Sequence, residues 1–314
     1  ISEAGGCGVL GATFCTPDEL RAEIRAVREI TDKPFGVDLL IPGDIPEDLS
    51  AREVPPFPDF LEDLMPKVEG LKGNPPPPLT IELARAQVEV TLEEKVPLMV
   101  SALGTPRWLI EECHAVGTKV MSMVGAVRHA KRLEDMGVDI IVAQGMEAGG
   151  HVGTVTTMVL VPGVVDAVSI PVLAAGGIID GRGIAAGMML GAQGAWIGTR
   201  FIATEEATAP DAHKQGILKA DENGTIVSRC YTGKPSRVLK NEFTSRWHGR
   251  DNELLPMPWQ RMRVEKLVAP AKAVGMPEIV NFPTGQAAGA INDIPKAADV
   301  FQQMINETEG ALAR

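Results

Sequence analysis

The sequence predicts an α/β fold, a TIM (β/α)8 barrel whose first strand is missing from the chain, with an inserted segment and a C-terminal helical cap. Three observations predict it. Short apolar runs alternate with stretches of helix length, the pattern of parallel strands buried on both faces and joined by crossover helices. Polar, glycine-rich clusters follow several of these runs, which suits a fold that gathers its chemistry at the C-terminal ends of its strands. Finally, Gly5-Gly6-Cys7-Gly8 precedes the first run, whereas an open nucleotide-binding sheet carries its glycine loop after its first strand.

Seven strands are expected, near 8–11, 34–40, 97–103, 119–124, 139–143, 171–175 and 194–197. The first helix starts at Thr16-Pro17-Asp18-Glu19, which combines an N-cap, a proline at the first helical position and a capping-box glutamate. The stretch 42–80 breaks the rhythm with Pro55-Pro56, Pro58 and the run from Pro75 to Pro78. It reads as an insertion over the barrel rim around a helix at 60–71, because consecutive prolines cannot donate to a central sheet. Thr105-Pro106 repeats the cap-plus-proline start, with Ile110 and His114 four apart and Gly117 as terminator. Asp180 is placed to cap a helix at 181–190, where Gly183 and Gly187 lower helix propensity but permit close packing on the sheet.

Beyond Phe201 the pattern is helical, then polar and irregular over 221–231. The locally basic run Arg229, Lys234, Arg237, Lys240, Arg246, His248 and Arg250 reads as a solvated helix or a subunit contact, since no repeated aromatics accompany it. Residues 1–241 are expected to form the barrel domain and 242–314 an extension packed on it. The count of seven strands and the start at Ile1 are expected either of a chain that has lost its native beginning or of one whose first strand is replaced by another segment.

The 314 residues are 45 % hydrophobic and 23 % charged, which fits a folded enzyme-sized chain rather than a disordered one. Thirty basic against forty-one acidic residues give a net charge of −11, and no basic stripe is visible, so nucleic acid and anionic membranes are not expected as partners. Cys7, Cys15, Cys113 and Cys230 show neither a CxxC pair nor metal-ligand spacing, so no metal and no disulfide is expected. With no leader-like start and no apolar run of membrane-spanning length, the chain reads as cytoplasmic, with a homodimer as the candidate assembly.

The densest chemical signal is Gln144 to Gly153, directly after an apolar strand. Its paired glycines let main-chain donors approach an anion or a planar ring, and His151 can titrate near neutral pH at the mouth. Two further clusters, Ala174 to Gly181 and Gly194 to Arg200, can jointly hold a phosphate through backbone amides and the Thr199 hydroxyl. Glu147 can orient His151 or bind backbone. His114, His129 and His213 read as helix residues with structural or surface duty. No GxSxG elbow and no HExxH pair occurs, which leaves hydrolase and metalloprotease readings without support.

The motifs Ala143-Gln144-Gly145-Met146-Glu147-Ala148-Gly149-Gly150-His151, Ala174-Ala175-Gly176-Gly177-Ile178 and Gly191 to Phe201 make the chain resemble the nitronate monooxygenase family, formerly 2-nitropropane dioxygenases, and the related flavin-dependent enoyl reductases. The resemblance covers most of 1–241. It implies FMN held noncovalently, with Gly176, Gly177, Gly198 and Thr199 around the phosphate. It places Gln144, Gly149 and Gly150 close to the flavin, and Lys119 on the flavin side. Asp38, in Phe35-Gly36-Val37-Asp38-Leu39, stands where the family commonly has an asparagine near the flavin. A carboxylate there opposes the charge of a reduced flavin unless it is protonated, turned away or paired with Lys119.

The activity implied is oxidation of small alkyl nitronates or nitroalkanes by oxygen to a carbonyl compound and nitrite. In it His151 acts either as the base taking the acidic α-proton or as the protonated partner of the nitronate oxygens. The alternative is an NAD(P)H-dependent FMN reductase acting on a quinone or an enoyl thioester, in which the same histidine donates a proton. A barrel-derived binding protein without turnover is the third reading. The expected partners are therefore a small-molecule substrate and either oxygen or NAD(P)H.

Overall fold

The computed structural model describes residues 1–41, 54–71, 77 and 79–314. Its elements in chain order are β1 (Gly8–Gly11), α1 (Pro17–Ile30), β2 (Phe35–Leu40), a 3₁₀ helix (Asp59–Val68), α2 (Ile81–Glu93), β3 (Leu98–Ala102), α3 (Arg107–Ala115), β4 (Lys119–Val124) and α4 (Val127–Met136). There follow β5 (Ile140–Gln144), β6 (Gly150–His151), α5 (Thr157–Val165), β7 (Val172–Ala175), α6 (Gly181–Met189), β8 (Gly194–Trp196), α7 (Thr199–Ile202) and α8 (Asp211–Lys219). The last part of the chain holds β9 (Thr225–Ser228), β10 (Ser236–Leu239), α9 (Glu242–Arg246), α10 (Trp259–Ala273) and α11 (Ala297–Leu312).

All seven expected strands form, and they pair in parallel in the order β1-β2-β3-β4-β5-β7-β8. Among the described residues β8 and β1 do not pair, so the sheet is an open, curled half-barrel with helices outside it, an incomplete TIM-barrel-like arrangement. Strand alternation sorts the side chains. Val37, Leu39, Met99, Val120, Ile141, Ala143 and Val172 pack outward into the helix-covered core, while Leu98, Val100, Met121, Val142 and Ala175 form a separate apolar layer on the concave face.

Local signals set most helix starts. The Thr16 hydroxyl accepts from Glu19 N–H at 3.3 Å while the Glu19 carboxylate accepts from Thr16 N–H at 2.7 Å, the reciprocal box expected at α1. Asp180 caps α6 by accepting from Gly183 N–H at 3.0 Å. The start of α3 differs from the expectation. Its N-cap position is Pro106 with no side-chain cap, because the Thr105 hydroxyl is committed to Ser122 Oγ at 2.7 Å.

The basic run after residue 228 is also not one solvated helix, since only Arg246 of it lies in a helix, at the end of α9. Part of it builds a small antiparallel sheet in the order β6-β10-β9, in which Ser236 faces His151 and Arg237 faces Gly150. Arg237 is buried and hydrogen-bonded, donating from Nε to Met146 O at 3.0 Å.

Within the proline-rich insertion, positions 42–53, 72–76 and 78 lie outside the described residues; the helix expected at 60–71 is the 3₁₀ helix Asp59–Val68. Its Leu61, Leu64 and Val68 join a second core with Tyr231, Val238, Phe243, Trp247 and Leu267, so residues on both sides of position 241 share one apolar cluster. Phe60 meets Trp247 edge to face at 5.0 Å, and the Lys67–Glu242 pair closes the contact at 2.6 Å. No described helix is long and apolar enough to cross a membrane.

Candidate active site

The site is built from the turn after β5. Alternation that sends Ile141 and Ala143 outward puts Gln144 on the concave side, where its Nε2 donates to His151 O at 2.6 Å. Glu147 does not touch His151. Its carboxylate accepts from the Thr157 N–H at 3.0 and 3.1 Å and from the Thr157 hydroxyl at 2.9 Å, tying the loop to the first turn of α5. The two-residue β6 then fixes His151 by pairing with β10.

His151 Nε2 lies 3.0 Å from Thr232 Oγ1. The Thr232 hydroxyl donates to Lys234 O at 3.2 Å and accepts from Lys234 N–H at 3.3 Å. With that hydrogen committed, Nε2–H donates to the hydroxyl and Nδ1 is the ring's acceptor. Burial, assisted by the charge of Lys234, pushes the His151 pKa down to about 4. The ring is therefore neutral at pH 7. Thr232 and Lys234 are site residues that sequence reasoning missed; Lys234 was visible only as one cation in a basic run.

Gly149 and Gly285 show why the second half of the chain belongs to this loop. A Cβ at Gly149 would stand 2.8 Å from Gly285 N, so only glycine admits the Thr284–Gly285 backbone. Gln286 N–H donates to Glu147 O at 2.8 Å, and Gly285 N–H donates to Thr199 Oγ1 at 2.8 Å. One short segment thus joins the turn after β5 to the turn after β8. Gly176 and Gly177 follow β7 with φ of +103° and +73°, a backbone region that side chains resist. Gly198 has open space around its Cβ position, and the Thr199 hydroxyl still has a hydrogen to donate. The structure therefore brings Gln144, Gly149, Gly150, His151 and Thr199 onto one connected framework, with Gly176 and Gly177 beside it at Thr157 and Glu147.

Asp38 sits on β2 in register with Gly11 and Val100, on the opposite face from Val37 and Leu39 and hence on the concave side. Its Oδ1 is buried with no hydrogen-bond partner among the described residues, and burial pushes its pKa up to about 7. Lys119 does not pair with it. As the first residue of β4, Lys119 is exposed at the N-terminal end of its strand, where Nζ donates to Asp139 Oδ1 at 2.7 Å. The expected flavin-side lysine is thus corrected, because the loops that carry the site leave the other end of the sheet.

The remaining histidines with defined partners have structural surroundings. His213 is buried, stacked on Phe282 at 4.7 Å, with Nε2 2.9 Å from Thr284 Oγ1. His114 Nε2 meets Asp139 Oδ2 at 2.8 Å on the surface. Among the described residues no three His, Cys, Asp or Glu side chains gather as a metal site.

Comparison with known proteins adds a family. A family model described as nitronate monooxygenase matches residues 1–307. A Staphylococcus saprophyticus protein described as a probable nitronate monooxygenase is 33 % identical over 91 % of this chain and 83 % of its own length. The nitroalkane oxidase of Streptomyces ansochromogenes superimposes with a TM-score of 0.87 at 30 % identity, covering 100 % of this chain and 91 % of that one. FabK from Thermotoga maritima does so with a TM-score of 0.81 at 34 % identity, covering 100 % and 88 %.

Proposed function

The chain belongs to the nitronate monooxygenase family, and from that premise we propose FMN-dependent oxidation of alkyl nitronates by oxygen, giving a carbonyl compound and nitrite. The observation that carries the reading is a neutral His151, pinned through Nε2 to Thr232 and through its carbonyl to Gln144, beside the Lys234 cation.

The residues present fit FMN. Glycine turns at 176–177 and 198 expose backbone donors, Thr199 keeps a hydroxyl hydrogen, and Asp38 Oδ1 on the concave face lacks, among the described residues, a partner that a bound ring can supply. Gly176, Gly177, Gly198 and Thr199 would hold the phosphate, and Asp38, Gln144, Gly149 and Gly150 the ring side. When bound, FMN supplies the electron transfer to oxygen.

The protein's own residues then do three things. Lys234 attracts the nitronate anion toward the loop. His151 presents an acceptor Nδ1 while neutral, and an anion arriving next to it raises its proton affinity, so the ring can take up a proton as the substrate binds. Gln144 and Thr232 hold the imidazole in place, which makes them positioning residues. A histidine whose pKa is near 4 is a weak base for a neutral carbon acid, so the reading favours the preformed nitronate over the parent nitroalkane. Oxygen uptake and nitrite release with each of the two, on the FMN-loaded protein and on His151→Ala, test it; dependence on NAD(P)H with a quinone or enoyl thioester, and no nitronate turnover, would sink it.

A further inference from the structure

A second concavity, of about 710 Å³, opens between the start of α3 and one side of α4. Arg128, Lys131 and Arg132 line it from α4, and their spacing of three and four places them on one helical face. Arg107 adds a fourth cation from the first position of α3. None of the four makes an ion pair among the described residues, although acidic groups outnumber basic ones in the whole chain. Unpaired cations converging on one hollow of an acidic protein are a feature that electrostatics would otherwise disperse.

The helix ends add to the field. The Thr105 hydroxyl, which by sequence should cap α3, is turned to Ser122, and neither α3 nor α4 has a side-chain cap. Two uncapped N-termini therefore leave free N–H groups and positive dipole ends beside the four cations. The turn that leads into α4, the helix whose Arg128 lines the hollow, packs against the candidate active-site loop. Gly125, between β4 and α4, packs against Gly153 so closely that a Cβ on it would stand 3.2 Å from Gly153 Cα, two residues beyond His151.

Size and lining select among anions. A cavity of this volume is in the range of small-molecule sites, about 300–1,000 Å³, and is larger than one phosphate needs. Pro106 and Met136 offer apolar wall for a ring, and Asp135 offers an acceptor for a hydroxyl or an amine. We propose that this cavity binds the polyphosphate end of a nucleotide-bearing co-substrate, the chemistry shared by pyridine nucleotides and coenzyme A thioesters. The glycine turns after β7 and β8 lie elsewhere on the rim, so this site is separate from the proposed FMN phosphate cradle, and it stands whether or not the nitronate reading does.

The test is calorimetric titration of the intact, FMN-loaded protein at low ionic strength with 2′-phospho-ADP-ribose, 3′-phospho-ADP and tripolyphosphate as probes. Saturable binding of at least one nucleotide is expected, tighter than that of tripolyphosphate and weakened about tenfold or more by Arg128→Glu or Arg132→Glu. Preference for the first nucleotide assigns the pyridine-nucleotide source, and preference for the second the coenzyme A source. In the unmodified protein, saturating nucleotide should also slow acylation of Lys131 by an amine reagent while Lys33, exposed at the opposite end of the sheet, reacts as before. No saturable binding of either nucleotide, tripolyphosphate binding as tightly as both, or an unprotected Lys131 would overturn the proposal.

Discussion

The imidazole of His151 and the hydroxyl of Thr232 stand 3.0 Å apart across the seam between the turn after β5 and the hairpin of the second half of the chain. That contact decides which ring nitrogen carries the hydrogen, since the hydroxyl's own hydrogen goes to Lys234 O. Thr232→Val is therefore expected to keep FMN absorbance while lowering kcat with a nitronate about tenfold, because the imidazole is no longer held in place beside the anion. Thr232→Ser should restore most of the rate. Steady-state kinetics beside a flavin spectrum check both.

The two low histidine pKa values set the acid limit of stability. His151 and His213 are both held near 4 by burial, below the 6.5 of a free imidazole. Between those values the unfolded chain binds protons that the folded chain refuses, so the histidines' contribution to stability is complete above pH 6.5 and is lost as pH falls toward 4, by on the order of a few kcal/mol. Melting temperature followed from pH 7.5 to pH 4.5 should fall, and less steeply in a His213→Gln variant.

Asp38 acts with the opposite sign. Its pKa is raised to about 7, so the folded protein holds a proton that the unfolded chain releases above pH 4, and stability declines as pH rises through 7. Asp38→Asn should remove that decline. It should also make FMN affinity independent of pH between 6 and 8, where the parent protein is expected to bind FMN more weakly as the carboxylate ionises. Fluorescence titration of FMN at several pH values measures it.

Leu64 ties the segment before α2 to the C-terminal core. Leu64→Ala is expected to cost about 2–5 kcal/mol, the range for a fully buried leucine, in urea unfolding. Little effect would place the 3₁₀ helix outside the cooperative unit.

Much of this arrangement was legible in the sequence, and the exceptions have physical causes. The seven strands announce themselves because parallel strands buried on both faces are continuous apolar runs. β6, β9 and β10 do not, because they carry polar residues such as Ser236 and Arg237, whose burial depends on partners far away in the chain. The basic run around Lys234 looks like a solvated face for the same reason. Lys119 was put on the flavin side by the resemblance alone, whereas its position at the start of β4 and its pairing with Asp139 put it at the end of the sheet away from the loops. The diversion of Thr105 to Ser122 is a tertiary choice that a local capping rule cannot anticipate. Asp38, by contrast, stood out through the resemblance, as a carboxylate where the family commonly has an asparagine, and its burial gives that departure its physical weight.

The central claim is that a neutral, positioned His151 serves a preformed alkyl nitronate. The most direct measurement is oxygen uptake by the FMN-loaded protein at pH 7 with propyl-2-nitronate and with 2-nitropropane, in parallel with His151→Ala. The account predicts nitrite-forming uptake with the nitronate at a kcat/KM about a hundredfold above that of the nitroalkane, and its loss in the variant with FMN retained. Equal rates with both substrates, or an unchanged rate in the variant, would contradict it.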